Sequence, residues 1–305
     1  MKHYLLLILR GMAMGAADVV PGVSGGTIAF ITGIYQELID SIKSINSKAV
    51  QILAKEGFGP FWKHVNGNFL ASVFGGIAIS VLSLAKLISH LLEVYPIMVW
   101  AFFFGLIVAS AWVVAHRISR WNAGKVIALI AGILIAFFIT RLSPAETTEA
   151  WWFLFLAGAL AICAMILPGI SGAFILLLLG KYQFIIDAVS SFNVSVIAIV
   201  GVGAIMGLLL FSNLLSFLLH KFHDYTVAVL VGFMIGALNK VWPWKKSLET
   251  FIDRHGEIKP LLETNIWPST YAEHFQANSY WMGALVTALI GFAIIIVVDR
   301  ITKEK

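Results

Sequence analysis

The chain has 305 residues, of which 60% are apolar and 12% charged, with a net charge of +5 and a mean hydropathy of +0.91. Soluble domains carry about 25% charged residues, so 21 basic and 16 acidic side chains are too few to clothe a soluble body of this size. The composition excludes a soluble enzyme and points to an integral membrane protein, whose basic residues lie between apolar stretches and set orientation rather than bind nucleic acid.

The start, Met1 to Ala17, looks like a signal peptide, but a related segment recurs in mid-chain, so no cleavage is expected. Tyr4–Asp40 reads as a re-entrant hairpin broken at Pro21-Gly22. Phe69–Leu91, Ile97–Ala115 and Val126–Thr140 follow as spanning helices, the last short enough to borrow Trp121 to Gly124. Ala150–Gly180 is 31 residues without a charge, with Pro168-Gly169 near its middle. As one helix it would run about 46 Å, too long for a bilayer core about 30 Å thick. Broken at Pro-Gly, it gives two limbs of roughly 15 residues, about 22 Å each and too short to cross. This second hairpin extends to about residue 187. Val194–Leu219, Tyr225–Val241 and Tyr280–Val298 are the remaining spans, with Pro243 to Ser279 a mixed-charge loop. Trp100, Trp112, Trp121, Trp242, Trp244 and Trp281 lie near stretch ends, as interfacial tryptophans do. Cys163, the single cysteine, can form no intramolecular disulfide and reads as a small buried hydrophobe. No ten-residue alternation supports a β-barrel.

The hairpins are copies. Pro21-Gly22-Val23-Ser24-Gly25 matches Pro168-Gly169-Ile170-Ser171-Gly172 at an offset of 147, and Gly33, Tyr35, Gln36, Ile39 and Asp40 match Gly180, Tyr182, Gln183, Ile186 and Asp187 at the same offset. A weaker echo links Gly105-Leu106-Ile107 to Gly232-Phe233-Met234. The expected fold is an all-α integral membrane protein: an internal repeat divided at 1–145 and 146–305, each half a re-entrant hairpin plus three spans. If each hairpin returns to its side of entry, Lys2, Arg10, Lys43, Lys48, Lys55, Lys63, Arg117, Arg120, Lys125, Lys221, Arg300, Lys303 and Lys305 all face inward. Glu93, Arg141, Glu146, Glu149, Lys181 and Asp187 then face outward, which obeys the positive-inside rule. Both termini are expected in the cytoplasm. Three spans per half is odd, so the halves are inverted, and broken helices meeting near the midplane are a transporter plan.

Each tip reads Pro-Gly-x-Ser-Gly. Proline suits the first helical position and glycine a sharp turn, so the return limb offers free N–H groups and the positive end of its dipole. Two such termini facing each other form a candidate anion site: Pro21, Gly22, Ser24, Gly25, Gly26 and Thr27 with Pro168, Gly169, Ser171 and Gly172. The plainer reading is that these small residues only allow close helix packing. Asp18, three residues before the first tip, has Met165 as its counterpart. An ionisable residue at depth is a functional candidate, here for proton coupling, with backbone capping as the plainer alternative. Gln36, Glu37 and Gln183 sit near the hairpin mouths as gate candidates or solvated helix ends. Lys181 and Arg141 flank the outer mouth, where they could attract a phosphate. His220-x-x-His223-Asp224 is a weak metal signal in a loop, and no metal or cofactor is expected.

The run Gly15-Ala-Ala-Asp18-Val-Val-Pro21-Gly22-Val-Ser24-Gly25-Gly26-Thr27, with Leu167-Pro168-Gly169-Ile170-Ser171-Gly172, resembles a bacterial family once listed as a domain of unknown function and now regarded as polyprenyl-phosphate transporters. The likeness covers essentially the whole chain. It implies a flippase of the bacterial inner membrane that returns undecaprenyl phosphate, the carrier of peptidoglycan and other surface polymers, from the outer to the cytoplasmic leaflet. The expected partners are that lipid, protons or sodium as coupling ion, and a second copy of the chain in a homo-oligomer, with no nucleic acid. The tips also resemble those of undecaprenyl-diphosphate phosphatases. Those enzymes carry an arginine after the motif serine and a paired glutamate motif upstream. Here Gly25 and Gly172 occupy the arginine's place and no Glu-x-x-x-Glu precedes either tip, which favours transport over hydrolysis. A transporter of a small soluble anion is a third reading with the same architecture.

Overall fold

The computed structural model describes residues 2–20, 23–145, 147–252 and 258–303. Pro21, Gly22, Glu146 and Lys305, all singled out above, lie outside the described residues. Helix α1 (Lys2–Asp18) runs to the first tip, and α2 (Gly25–Ile31) and α3 (Tyr35–Lys43) lead away from it. Two short helices, α4 (Ser47–Glu56) and α5 (Phe58–His64), precede α6 (Gly67–Val94), α7 (Pro96–Ala115) and α8 (Ala123–Ile139). The second series is α9 (Trp151–Ile166), α10 (Gly172–Leu178), α11 (Tyr182–Ser190), α12 (Val194–Lys221) and α13 (His223–Ala237). A β-hairpin of β1 (Lys245–Ile252) and β2 (Ile258–Asn265) follows, then α14 (Pro268–Phe275) and α15 (Trp281–Lys303).

All six expected spans are helices. Four of them (α6, α7, α12 and α15) contain apolar runs of 18 residues or more. The helices α8 and α13 have 17 and 15 residues, short for a span. The chain is therefore a mostly helical, multi-pass membrane protein. Helices α10 and α11 begin 147 residues after α2 and α3 and have the same lengths, 7 and 9 residues. Helices α12 and α13 begin 127 residues after α6 and α7. The 20-residue difference is taken up by α4 and α5 in the first series.

The structure corrects the sequence reading of the return limbs. Neither is one 15-residue helix; each is a 7-residue helix, a bend, and a 9-residue amphipathic helix. Between α10 and α11 the bend is 110°. Its cause is a glycine in the left-handed region, Gly33 at φ +74° and Gly180 at φ +62°. At both places the helix end closes in the same way: Gly33 N–H donates to Phe30 and Ile34 N–H to Ala29, just as Gly180 N–H donates to Leu177 and Lys181 N–H to Leu176. This is the paired capping that terminates helices at glycine.

Packing then joins α1 to α6, α9 to α12, α7 to α15 and α8 to α13. The last two pairs cross residue 145, so the third span of each series rests on the second span of the other. Small residues make these contacts close. Gly105 lies against the backbone of Ala288 and Gly291 against that of Phe102, while Gly132 and Gly232 meet between α8 and α13. With no hydrophobic drive between helices in lipid, such close approach supplies the van der Waals contact that holds spans together.

The loop from Pro243 to Ser279 also differs from expectation, since it contains the antiparallel β1–β2 pair, registered from Lys245 opposite Asn265 to Ile252 opposite Ile258. Trp242 and Trp244 fasten it rather than facing lipid. Their indole N–H groups donate to Ile266 O and Ser279 O, both at 2.9 Å. Trp112, Trp121 and Trp281 are exposed, as interfacial residues should be.

Candidate functional site

The last carbonyls of a helix have no intrahelical partner, and at the end of α9 the first hairpin supplies them. Ser24 Oγ donates to Met165 O at 3.0 Å and Tyr35 Oη donates to Ile166 O at 3.2 Å. Gly26 lies directly against the Ile166 carbonyl, where a Cβ would not fit. Met165 and Ile166 lead straight into Pro168-Gly169, so the two tips are neighbours. Ser24, Thr27 and Ser171 are buried there at 1%, 0% and 7% exposure.

The tips differ in how their helix starts are satisfied. Ser24 caps α2 by accepting from Gly26 N–H at 3.1 Å, and Asp18 Oδ1 accepts from Gly25 N–H at 2.6 Å. A carboxylate thus already sits at the N-terminus of α2, where the partial positive charge favours it. At α10 the counterpart of Asp18 is Met165, and Ser171 makes no cap bond to its own helix. The Ser171 hydroxyl has no protein partner among the described residues. Thr27 Oγ1 is fully buried and likewise unpartnered. Gly169, at φ +91°, turns the second tip against the backbone of Phe233 and Met234.

The other expected site residues lie elsewhere. Lys181 is 3% exposed, donates to Thr147 O at 2.9 Å, and stands over the rings of Phe153 and Phe184. It clamps the loop after α8 onto the α10–α11 bend. Gln36 lines a cavity of about 120 Å³ with Gly33, Tyr35, Arg117 and His223. Glu37 accepts from Asn66 Nδ2 at 3.0 Å, and Gln183 donates to Asp187 at 3.1 Å. None of these three contacts the tips. Arg141 rests over the Phe137 ring at 5.4 Å. His220 approaches Asp40 at 3.7 Å and His223 approaches Asp224 at 3.3 Å. Among the described residues no cluster of three or more His, Cys, Asp or Glu could hold a metal.

Sequence reasoning missed two groups. Arg117 donates to the Phe30 and Ile31 carbonyls at 3.3 and 3.1 Å and reaches Asp299 at 3.4 Å, so it caps the far end of α2. Lys240 and Lys245 share the Glu263 carboxylate, at 3.4 and 3.6 Å. No local signal in the sequence marks the second group, because Glu263 lies 18 residues or more from either lysine.

With this geometry in place, comparison with known proteins is decisive. Residues 14–259 match the VCA0040-like, undecaprenyl phosphate translocase-like family. The chain belongs to that family. A polyprenyl-phosphate transporter of Vibrio cholerae is 44% identical over 302 residues, covering 99% of this chain and 98% of that protein. One from Staphylococcus aureus is 30% identical over 316 aligned positions, covering 98% and 97%. No solved structure matches. These two relatives thus align with essentially the whole length of this chain.

Proposed function

We propose that this protein carries a polyprenyl phosphate across the bacterial inner membrane, from the outer to the cytoplasmic leaflet, and performs no bond cleavage. The observation that carries the site is the tip junction, where Ser24 and Gly26 close on the end of α9 while the Ser171 hydroxyl beside it makes no bond to its own helix. The phosphate docks there on Ser171 Oγ and the first N–H groups of α10, at the positive end of a helix. Asp18, fixed on Gly25, faces the same junction as a second anion. A proton or cation that neutralises it would ease phosphate entry, which gives coupling a physical basis. The polyprenyl tail stays in lipid.

The matching offsets and lengths of the two helix series support the inverted-repeat plan. In that plan the α1–α6 and α9–α12 pairs rock against the row formed by α15, α7, α13 and α8. Hydrolysis is disfavoured by the same geometry. Phosphoryl transfer needs charge neutralisation and a base, whereas Arg117 is engaged at the far end of α2 and Lys181 on Thr147. The test uses purified protein in proteoliposomes carrying undecaprenyl phosphate in both leaflets. Headgroup accessibility is followed at the outer surface, and released inorganic phosphate is assayed in parallel. Protein-dependent movement without phosphate release is expected. Released phosphate would establish a phosphatase instead, and neither event would direct the search to soluble anions.

A further inference from the structure

A second polar recess lies away from the tips, a cavity of about 390 Å³ walled by Arg141, Lys240, Lys245 and Glu263, with Asn239 and Asn265 beside them. Its charges do not balance. Lys240 and Lys245 both lean on one carboxylate, Glu263, and Arg141 rests on an aromatic ring without an ion pair among the described residues. Among the described residues three cations against one anion leave a net +2. Lys245 is the informative member. Its side chain is only 8% exposed, its ammonium stands 3.7 Å from the centroid of the Trp100 ring, and at 3.6 Å from Glu263 it forms no hydrogen bond. Buried ammonium groups are costly unless hydrogen-bonded, and a purely structural pair would match one lysine to one carboxylate. A buried ammonium with unused donors in the wall of a cavity can take an acceptor that enters there.

We propose that this recess is a docking site for a phosphate monoester dianion, held by Arg141, Lys240 and Lys245, with Glu263 as the displaceable counter-charge. A phosphate monoester carries nearly two negative charges near neutral pH, matching the excess in the recess. Position agrees with this role. Gly169 of the second tip packs on Phe233 and Met234 of α13, and Lys240 lies six residues further along. Lys240 also stands 5.1 Å over the ring of Phe174, the third residue of α10. The recess is therefore the station before the tips, roofed by the β1–β2 hairpin that Trp242 and Trp244 fasten. That a lipid brings the phosphate rests on the transport reading above; the cation cluster does not. Burial pushes Lys245 down to about 8, opposed by Glu263 and assisted by Lys240. With Arg141 the only other charge lining the recess among the described residues, phosphate affinity should weaken as pH rises through that value.

The test is calorimetric titration of the full chain in lipid nanodiscs with farnesyl phosphate and, separately, inorganic phosphate. Lys240→Gln and Lys245→Gln should each weaken binding about 10-fold. Glu263→Gln should tighten it about 3-fold or more, a gain that damage to the fold cannot produce. Equal binding of inorganic phosphate assigns the site to the free anion, and binding of farnesyl phosphate alone assigns it to the lipid; both keep the site. No measurable binding by the native chain, affinity unchanged in the lysine variants, or Glu263→Gln binding no tighter than native overturns it. A failure of lipid movement in proteoliposomes would defeat the transport reading alone, because titration requires no change of leaflet.

Discussion

Ser24 and Ser171 occupy matched positions, yet their removal should have opposite consequences. Ser24 is 1% exposed and makes two bonds, to Met165 O and from Gly26 N–H. Loss of an N-cap costs about 1 kcal/mol, and a buried carbonyl left without its partner about 1 kcal/mol more. Ser24→Ala should therefore lose about 2 kcal/mol of stability, a drop of several degrees in melting temperature. Ser171 makes no cap bond, and deleting an unbonded hydroxyl is close to neutral for stability. If that hydroxyl binds the phosphate, however, its loss removes a hydrogen bond to a charged group, about 1.5–3 kcal/mol, or roughly 10- to 100-fold in affinity. The assay pairs thermal melting of each variant with lipid movement in proteoliposomes over a range of lipid content. The expected pattern is a destabilised Ser24→Ala and a Ser171→Ala that melts like the native chain but transports poorly. Native transport by Ser171→Ala, or equal melting losses in both variants, would refute the reasoning.

Three further outcomes follow from the same geometry. Gly26→Ala would drive a methyl into the Ile166 carbonyl; overpacking of this kind costs about 1–3 kcal/mol, so melting should fall and transport be lost, and a native-like variant would mean the tips do not close together. Asp18→Asn keeps an acceptor for Gly25 N–H but removes the charge, so transport should persist and lose its response to a pH gradient; identical responses in both forms would dismiss proton coupling. Lys245 is lowered to about 8 from 10.5, so between those values the folded chain binds fewer protons than the unfolded one and stability rises with pH. Melting scans of native and Lys245→Met protein from pH 7.5 to 10.5 should show that rise in the native chain alone, and a native-specific fall would contradict it.

Much of this was legible in the sequence because hydropathy and Pro-Gly breaks are local signals. All six stretches appeared as helices, four of them long enough to span, with ends within about five residues, and the repeated Pro-Gly-x-Ser-Gly lies at the junction that Ser24 and Met165 form. The bends at Gly33 and Gly180 were missed although a glycine just past a helix end is a known stop. At Gly33 the apolar run continues into Ile34 and Tyr35, so hydropathy registers no break there, and at Gly180 the following Lys181 reads as the hairpin mouth rather than as a bend. Lys181 looked like a surface cation because nothing in the sequence places the Thr147 carbonyl beside it. The recess was invisible for a stronger reason. Arg141, Lys240, Lys245 and Glu263 come from three separate segments, and only the packing of α8 on α13 and the pairing of β1 with β2 bring them together.

The most direct measurement is a cryo-EM structure of the chain in nanodiscs with a short-chain polyprenyl phosphate, under conditions where the lipid is being moved. The phosphate should lie within hydrogen-bond reach of Ser171 Oγ and the Gly172 N–H, beside the Ser24–Met165 contact, with its tail leaving between helices into lipid. A headgroup bound only at sites remote from both tips, with the tip junction unchanged, would contradict the paired-tip mechanism.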